Sequence, residues 1–279
     1  IGRLKLEFWI SKHTRKEQIL LCFGNLPPLF NCSARIFLFI HNKFLLEKKL
    51  PNNLNLKLKL RLKIEKLILS LRKSFPEKFY VQTKSMHKIL GNFLKSTDRI
   101  EIFPFFEPLA LKRKVDRKVS NKFIFLASGD LHKNHLKLLE AWVLLSKEDL
   151  FPFLTLTISK NNYSSLCIYI DQLKGRYGLN IKNIGEVNHN IAIEHLLNSS
   201  ALIYPSLTES FGIPLLEASS LNIPIVASEL DYVRDLIEPD ETFDPKSSLS
   251  IARAVKRFMS LRKDKLTINS SRSFLNKIQ

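Results

Sequence analysis

The stretch that most constrains this chain is residues 201–228, ALIYPSLTESFGIPLLEASSLNIPIVAS. Ala201 to Tyr204 is a short apolar strand, broken by Pro205 into a polar loop holding Thr208, Glu209 and Ser210. A helix is expected from Gly212-Ile213-Pro214 to about Asn222, because proline is tolerated in a first turn, where its missing N–H would be unpaired anyway. Ile223 to Ala227 reads as a second buried strand. Strand, loop, helix, strand is a βαβ unit, and ligands of such sheets sit beyond the carboxyl ends of the strands. Gly212 lets the backbone come close to a ligand. The N–H groups of Phe211, Gly212 and Ile213 would point at an anion, aided by the helix dipole.

Two carboxylates frame that place, Glu209 in the loop and Glu217 one turn into the helix. An ionised carboxylate only accepts hydrogen bonds, which suits a sugar hydroxyl. The unit thus offers amides to phosphate and carboxylates to hydroxyls. Taken singly, the glutamates have a plainer reading: Glu217 complements a helix N-terminus, and Glu209 is a solvated loop acid.

Taken whole, PSLTESFGIPLLEAS resembles the donor-binding signature of retaining family 4 glycosyltransferases with the GT-B fold, of the kind that build bacterial surface polysaccharides. The likeness covers both glutamates, the Phe-Gly amides and the following Glu-Ala. It continues through ASGDLHKNHLKLLEAW, NIGEV, PIVASELDYVRDLIEP and FDP, from about Phe123 to about Phe258. It implies an α/β chain of two Rossmann-like parallel-sheet domains facing a cleft. It also implies metal-independent transfer of a hexose-type sugar from a nucleoside-diphosphate donor to a glycan or polyprenyl-linked acceptor, with no cofactor beyond the donor substrate. In the roles the resemblance implies, Lys133 and the amides of Phe211, Gly212 and Ile213 hold the diphosphate, and Ser210 and Gly129 are also among the donor-binding residues. Glu209 faces the donor sugar and Glu217 the ribose, with Glu186 of NIGEV near the base. His41, after an N-domain strand, approaches the donor sugar; its plainer reading is a histidine packed on a strand end. One place departs from the pattern. Many relatives carry an arginine two residues after the position of Ser128, and here that residue is Asp130, so the second positive charge near the diphosphate has no assigned source.

Composition sets outer limits. The length suits two ordinary domains or one large one, and the apolar content is ample for packed cores. Lys and Arg number 44 against 26 Asp and Glu, a net charge of +18. Such a balance admits nucleic acid, an anionic membrane or phosphorylated substrates; the other reading is a lysine-rich proteome. Nucleic-acid binding has only this charge behind it, with no RNA-type aromatic signature or zinc module. No Gly-x-Gly-x-x-Gly follows a strand, which argues against a nicotinamide dinucleotide. Cys22, Cys32 and Cys167 lack zinc-type spacing and fit a reduced compartment. With no apolar run of membrane-spanning length and no visible signal peptide, the expected location is cytoplasmic, with peripheral attachment to the inner face of the membrane as the alternative.

In chain order, residues 1–17 read as a charged helix, Gln18–Phe23 as a buried strand and Ala34–His41 as another. Residues 54–73, LNLKLKLRLKIEKLILSLRK, alternate leucine with basic residues, yet Leu56, Leu60, Ile64, Leu67 and Leu71 also follow helical spacing. The run is too long for an ordinary strand, so a basic amphipathic helix is expected. It would lie on an anionic membrane or be a domain helix with a solvated basic face. Lys78–Gln82 is a strand, Lys84–Leu94 a helix and Arg99–Phe103 a strand. The boundaries expected are a first domain at 1–104, a linker at 105–120, a nucleotide-sugar domain at 121–262 and a tail at 263–279. Strands of the second domain are placed at Phe123–Ala127, Leu154–Ser159, Ile181–Gly185, Leu202–Tyr204 and Ile223–Ala227, with a last amphipathic helix at 246–262. Lys133 opposes a helix dipole, which a bound diphosphate would explain. His132 and His135 are taken as solvated or capping, and Asp231, Tyr232 and Arg234 as packing residues. Four strands are few for a first GT-B domain. The expectation is therefore an N-terminal domain that is incomplete. The alternative function is a truncated, catalytically weak nucleotide-sugar-binding protein.

Overall fold

The computed structural model describes residues 2–47, 56–109 and 121–260. They form two parallel sheets. The first runs in chain order across its width: β1 (Ile19–Cys22), β2 (Arg35–Phe39), β3 (Lys78–Val81) and β4 (Ile100–Ile102). The second contains β5 (Lys122–Phe125), β6 (Phe153–Leu156), β7 (Ile181–Asn183), β8 (Ala201–Tyr204), β9 (Ile225–Ser228) and β10 (Glu241–Phe243). Its order is β10-β9-β8-β5-β6-β7, every pair parallel. The chain winds from β5 to β7 in one direction, returns to β8 and continues the other way. The loops after β5 and β8 therefore open side by side at the carboxyl edge, where a crevice forms in a sheet of this topology. Those loops carry SGDLHKNH and SLTESFG.

Helices cover the sheets: α1 (Gly2–His13), α2 (Leu56–Arg72) and α3 (Lys84–Leu94) in the first half, then α4 (His135–Ser146), α5 (Ser164–Tyr177), α6 (His189–Leu197), α7 (Ile213–Ser220), α8 (Asp231–Arg234) and α9 (Ser248–Phe258). Strands β8 and β9 are buried along their whole length, as expected of central parallel strands. Trp142 of α4 is buried edge-on against Phe123, and its indole N–H donates to the Pro152 carbonyl at 2.9 Å. A separate core in the first half gathers Leu38, Ile40, Leu69, Phe79 and Leu90.

Four features differ from the sequence expectations. The strand at β1 is not buried. It is a sheet edge with Ile19 and Leu21 about half exposed. Strand β10, three residues long, was not expected, since so short a segment shows no period. Helix α2 forms, but Leu62 and Leu69 face the core while Leu56, Leu60, Ile64, Leu67 and Leu71 point outward. The last helix ends at Phe258. The linker is described only to residue 109, and the 263–279 tail lies outside the described residues. Among the described residues, no helix is long and apolar enough to cross a membrane.

The halves meet at defined contacts. Ser85, in the first turn of α3, donates its N–H and its hydroxyl to Asp235 Oδ2 at 2.8 and 2.6 Å. A carboxylate from the second half thus complements the positive end of a helix in the first.

Candidate functional site

The loop after β5 makes a 3-10 turn, Leu131–Lys133, and α4 starts after Asn134, which has φ 65°. The Asn134 amide donates to the carbonyls of Pro205 and Pro245 at 3.0 and 2.7 Å. The Leu207 N–H donates to the His132 carbonyl at 2.8 Å. These bonds lock the two switch-point loops together. At their junction Lys133 Nζ donates to Glu209 Oε1 at 2.7 Å, with side chains only 16% and 11% exposed. The cation that opposes the α4 dipole is thus balanced by a carboxylate, and removing either partner would strand the other in a poorly solvated place. Glu209 also lies close to the buried Tyr204 and Tyr232, and burial together with its charge drives both phenols well above their ordinary range.

Gly212 ends the second loop at φ 77°, a left-handed conformation that favours glycine. Phe211 is buried, Ile213 is half exposed, and the first amides of α7 have no partner within their own helix. The second carboxylate is placed elsewhere. Glu217 is buried on α7 and bonds His189 Nε2 at 2.6 Å, at the start of α6. It lies outside the cavities around Glu209.

Gly129 and Glu186 of the second half each line a cavity. The Tyr163 ring packs over Gly129, where a Cβ would come within 2.4 Å of it. Its hydroxyl donates to Asp130 Oδ1 at 3.0 Å, while Asp130 Oδ2 accepts from Ser128 at 2.6 Å. Asp130 is therefore turned toward Ser128 and Tyr163. Glu186 lines a separate cavity of about 310 Å³ with Ser128, Thr157, Ser159 and Tyr163. A cavity of about 620 Å³ lies between Phe44 of the first half and Gly129, Asp130, His132, Tyr163 and Thr208 of the second.

The first half brings its own groups from the carboxyl end of β2. A cavity of about 190 Å³ is walled by His41, Asn42, Lys43 and Phe44 on one side and by His132, Thr208, Glu209 and Ser210 on the other. The Lys43 N–H donates to Ser210 Oγ at 3.2 Å, and its Nζ reaches Thr208 Oγ1 at 2.5 Å. Lys43 was not among the sequence candidates, because nothing local distinguishes it from the other lysines. Asn25 Oδ1 accepts from the N–H groups of His41 and Asn42, both at 2.8 Å. Its amide nitrogen then faces His41 Nε2 at 3.0 Å, so Nε2 accepts and the neutral ring carries its proton on Nδ1. Loss of solvation lowers the His41 pKa in the same sense.

The two loop histidines correct the sequence expectation. His132 sits edge-on to the Phe44 ring, centroids 5.9 Å apart, and burial and then Lys133 lower its pKa. His135 is neither solvated nor a cap. It is buried at the start of α4 against Phe125, Nε2 bonded to the Ser128 carbonyl at 2.8 Å and Nδ1 unpartnered, and burial lowers its pKa to about 4.

Two parallel-sheet α/β halves that meet at a cleft have the architecture of the GT-B class. The chain spans less than half the length of the curated relative that it matches, and sequence comparison carries the class further. A family model for glycosyl transferases group 1 matches residues 110–272, more than half of the chain, and the protein belongs to that family. The MMP α-(1→4)-mannosyltransferase of Mycolicibacterium hassiacum is 28% identical over 174 residues, covering 60% of this chain and 40% of the relative. Among solved structures, the lipopolysaccharide outer core galactosyltransferase WaaB superposes with a TM-score of 0.64 at 14% identity, over 92% of this chain and 70% of its own. HepE from Anabaena, determined with UDP, gives 0.67 at 12% identity, over 92% and 72%.

Proposed function

We propose that the chain is the donor-binding part of a retaining hexosyltransferase that uses a nucleoside-diphosphate sugar in surface polysaccharide synthesis. The observation that carries this reading is the Lys133–Glu209 pair at the switch point, with Lys43 facing it across the cleft. A diphosphate entering there would take Lys133 as its cation and free Glu209 for a sugar hydroxyl. Lys43 fills the need for a second positive charge that Asp130 leaves open. The α7 amides complete a fixed electropositive cradle, so the positive field at the departing diphosphate comes from the chain itself without a metal ion. The anomeric C–O bond breaks with its electron pair passing to the diphosphate. An acceptor hydroxyl, glycan or polyprenyl-linked, then attacks from the same face, and its proton passes to the departing diphosphate oxygen. His41, neutral and near the cleft, contacts the sugar, and Glu217 the ribose once His189 moves aside. The UDP in HepE and the mannosyl chemistry in the name of the Mycolicibacterium relative support the donor class.

A second reading rests on Tyr163 covering Gly129: a protein that binds nucleotide sugar and transfers it poorly. Thermal shift against UDP, GDP and dTDP sugars tests the common part, since a ligand of the native state raises its melting point. Lys133→Ala and Lys43→Ala should each weaken nucleoside-diphosphate affinity about tenfold to a hundredfold, the scale of a lost charge-assisted hydrogen bond. Unchanged affinity in both variants would remove the assignment. Release of labelled sugar onto a lipid-linked acceptor separates transfer from binding alone.

A further inference from the structure

Helix α2 is built back to front for a helix that serves only a protein core. At 100° per residue, Leu56, Leu60, Ile64, Leu67 and Leu71 fall within a sector of about 80°. The core-facing Leu62 and Leu69 lie about 180° from the centre of that sector. The outer stripe is open to solvent, with exposures of 82% at Leu56, 60% at Leu60 and 69% at Leu71. A solvated outer face should be polar. This one is the most continuous apolar line on the helix, and it runs its whole length, about 25 Å.

Charge identifies the occupant. Helix α2 carries six basic side chains, Lys57, Lys59, Arg61, Lys63, Lys66 and Arg72, against the single carboxylate of Glu65. Lys57 borders the stripe on one side, and Lys63 and Lys59 on the other, by the same helical angles. Another protein core would have to neutralise or desolvate these cations. The headgroup layer of an anionic bilayer accepts them as they stand while its acyl boundary takes the leucines. Other apolar side chains are exposed in this half, among them Ile19 and Leu21 of β1, but that strand is four residues long and carries no basic residue of its own.

We infer that α2 lies in the plane of an anionic membrane surface, its Leu56-Leu60-Ile64-Leu67-Leu71 stripe inserted below the headgroups and Lys57, Lys59 and Lys63 among them. The opposite face of α2 packs against the turn that bears Lys43 and Phe44. Docking therefore holds that wall of the cleft one helix away from the bilayer. The inference is independent of sugar transfer, because binding to vesicles needs no donor.

Flotation of the full chain with phosphatidylcholine vesicles, and with the same vesicles containing phosphatidylglycerol, tests it. The protein should float with the anionic vesicles and not with the neutral ones, and salt should release it. Neutralising Lys57 or Lys63 to Gln should weaken partition about fivefold per lysine. Leu60→Glu with Leu67→Glu should abolish flotation while the melting temperature stays put, because both side chains are already in water. Equal binding to neutral and anionic vesicles would overturn the proposal, as would wild-type flotation of the leucine double variant. So would a wild-type dimer in light scattering that this variant breaks, which would make a second copy the occupant.

Discussion

The four-stranded and six-stranded sheets follow one rule of parallel winding and differ in how completely their strands are covered. In the second sheet β8 and β9 are buried end to end, and the candidate donor residues Lys133, Glu209 and Gly212 hang from their immediate continuations or from β5 beside them. In the first, β1 alternates exposed and half-covered positions, and its neighbouring helices α1 and α2 turn apolar side chains outward. The contrast teaches where rigidity resides. The cation–carboxylate pair is held by a closed core, whereas His41, Lys43 and Phe44 are held by a turn after β2 that α2 supports from behind. The candidate site takes one wall from each half, and Lys43 joins them through Ser210 and Thr208.

The sharpest way to break this comparison is through tryptophan. Trp142→Ala in the second half should cost about 3–5 kcal/mol, the usual loss for a buried aromatic. Trp9→Ala on the exposed face of α1 should stay within about 0.5 kcal/mol. Urea unfolding followed by circular dichroism checks both, and similar costs would erase the distinction. The next largest effect is an acid loss from His135. Its folded pKa, about 4, lies below the ordinary value of 6.5. The unfolded chain therefore binds the proton first. Stability is fully present above about pH 6.5, falls as the pH drops toward 4, and loses about 3 kcal/mol in all. A urea midpoint measured across that window should flatten in His135→Gln. The smallest concerns the contact between halves. Asp235→Ala removes the acceptor at the start of α3 and should cost about 1 kcal/mol, as lost helix caps do. An unchanged urea midpoint would mean that the two halves unfold without sensing each other.

Much of the scaffold was legible in the residues. Lys84–Leu94 is a helix in the sequence reading and in the structure with the same bounds, and Thr83 caps it by accepting from the Met86 N–H. The βαβ unit at 201–228 was legible because Pro205, Gly212 and Pro214 punctuate it. Other features were not. Helix α2 has apolar residues on two sides, and period alone does not say which side meets a sheet. Lys43 meets Thr208 across 165 residues, and no local pattern records such a meeting. Tyr163 over Gly129 and His189 on Glu217 were missed for the same reason.

Sequence alone determined most of the strands and helices, the parallel winding of the second half and the pairing of a glycine-opened helix with two acids. Those properties follow from backbone sterics and periodicity, which act over a few residues. Only the tertiary structure decided that Lys133 closes on Glu209, that Glu217 turns to His189 and that the leucines of α2 look outward. Each of these depends on which surfaces remain uncovered once distant strands have paired, and that is a property of the assembled sheets.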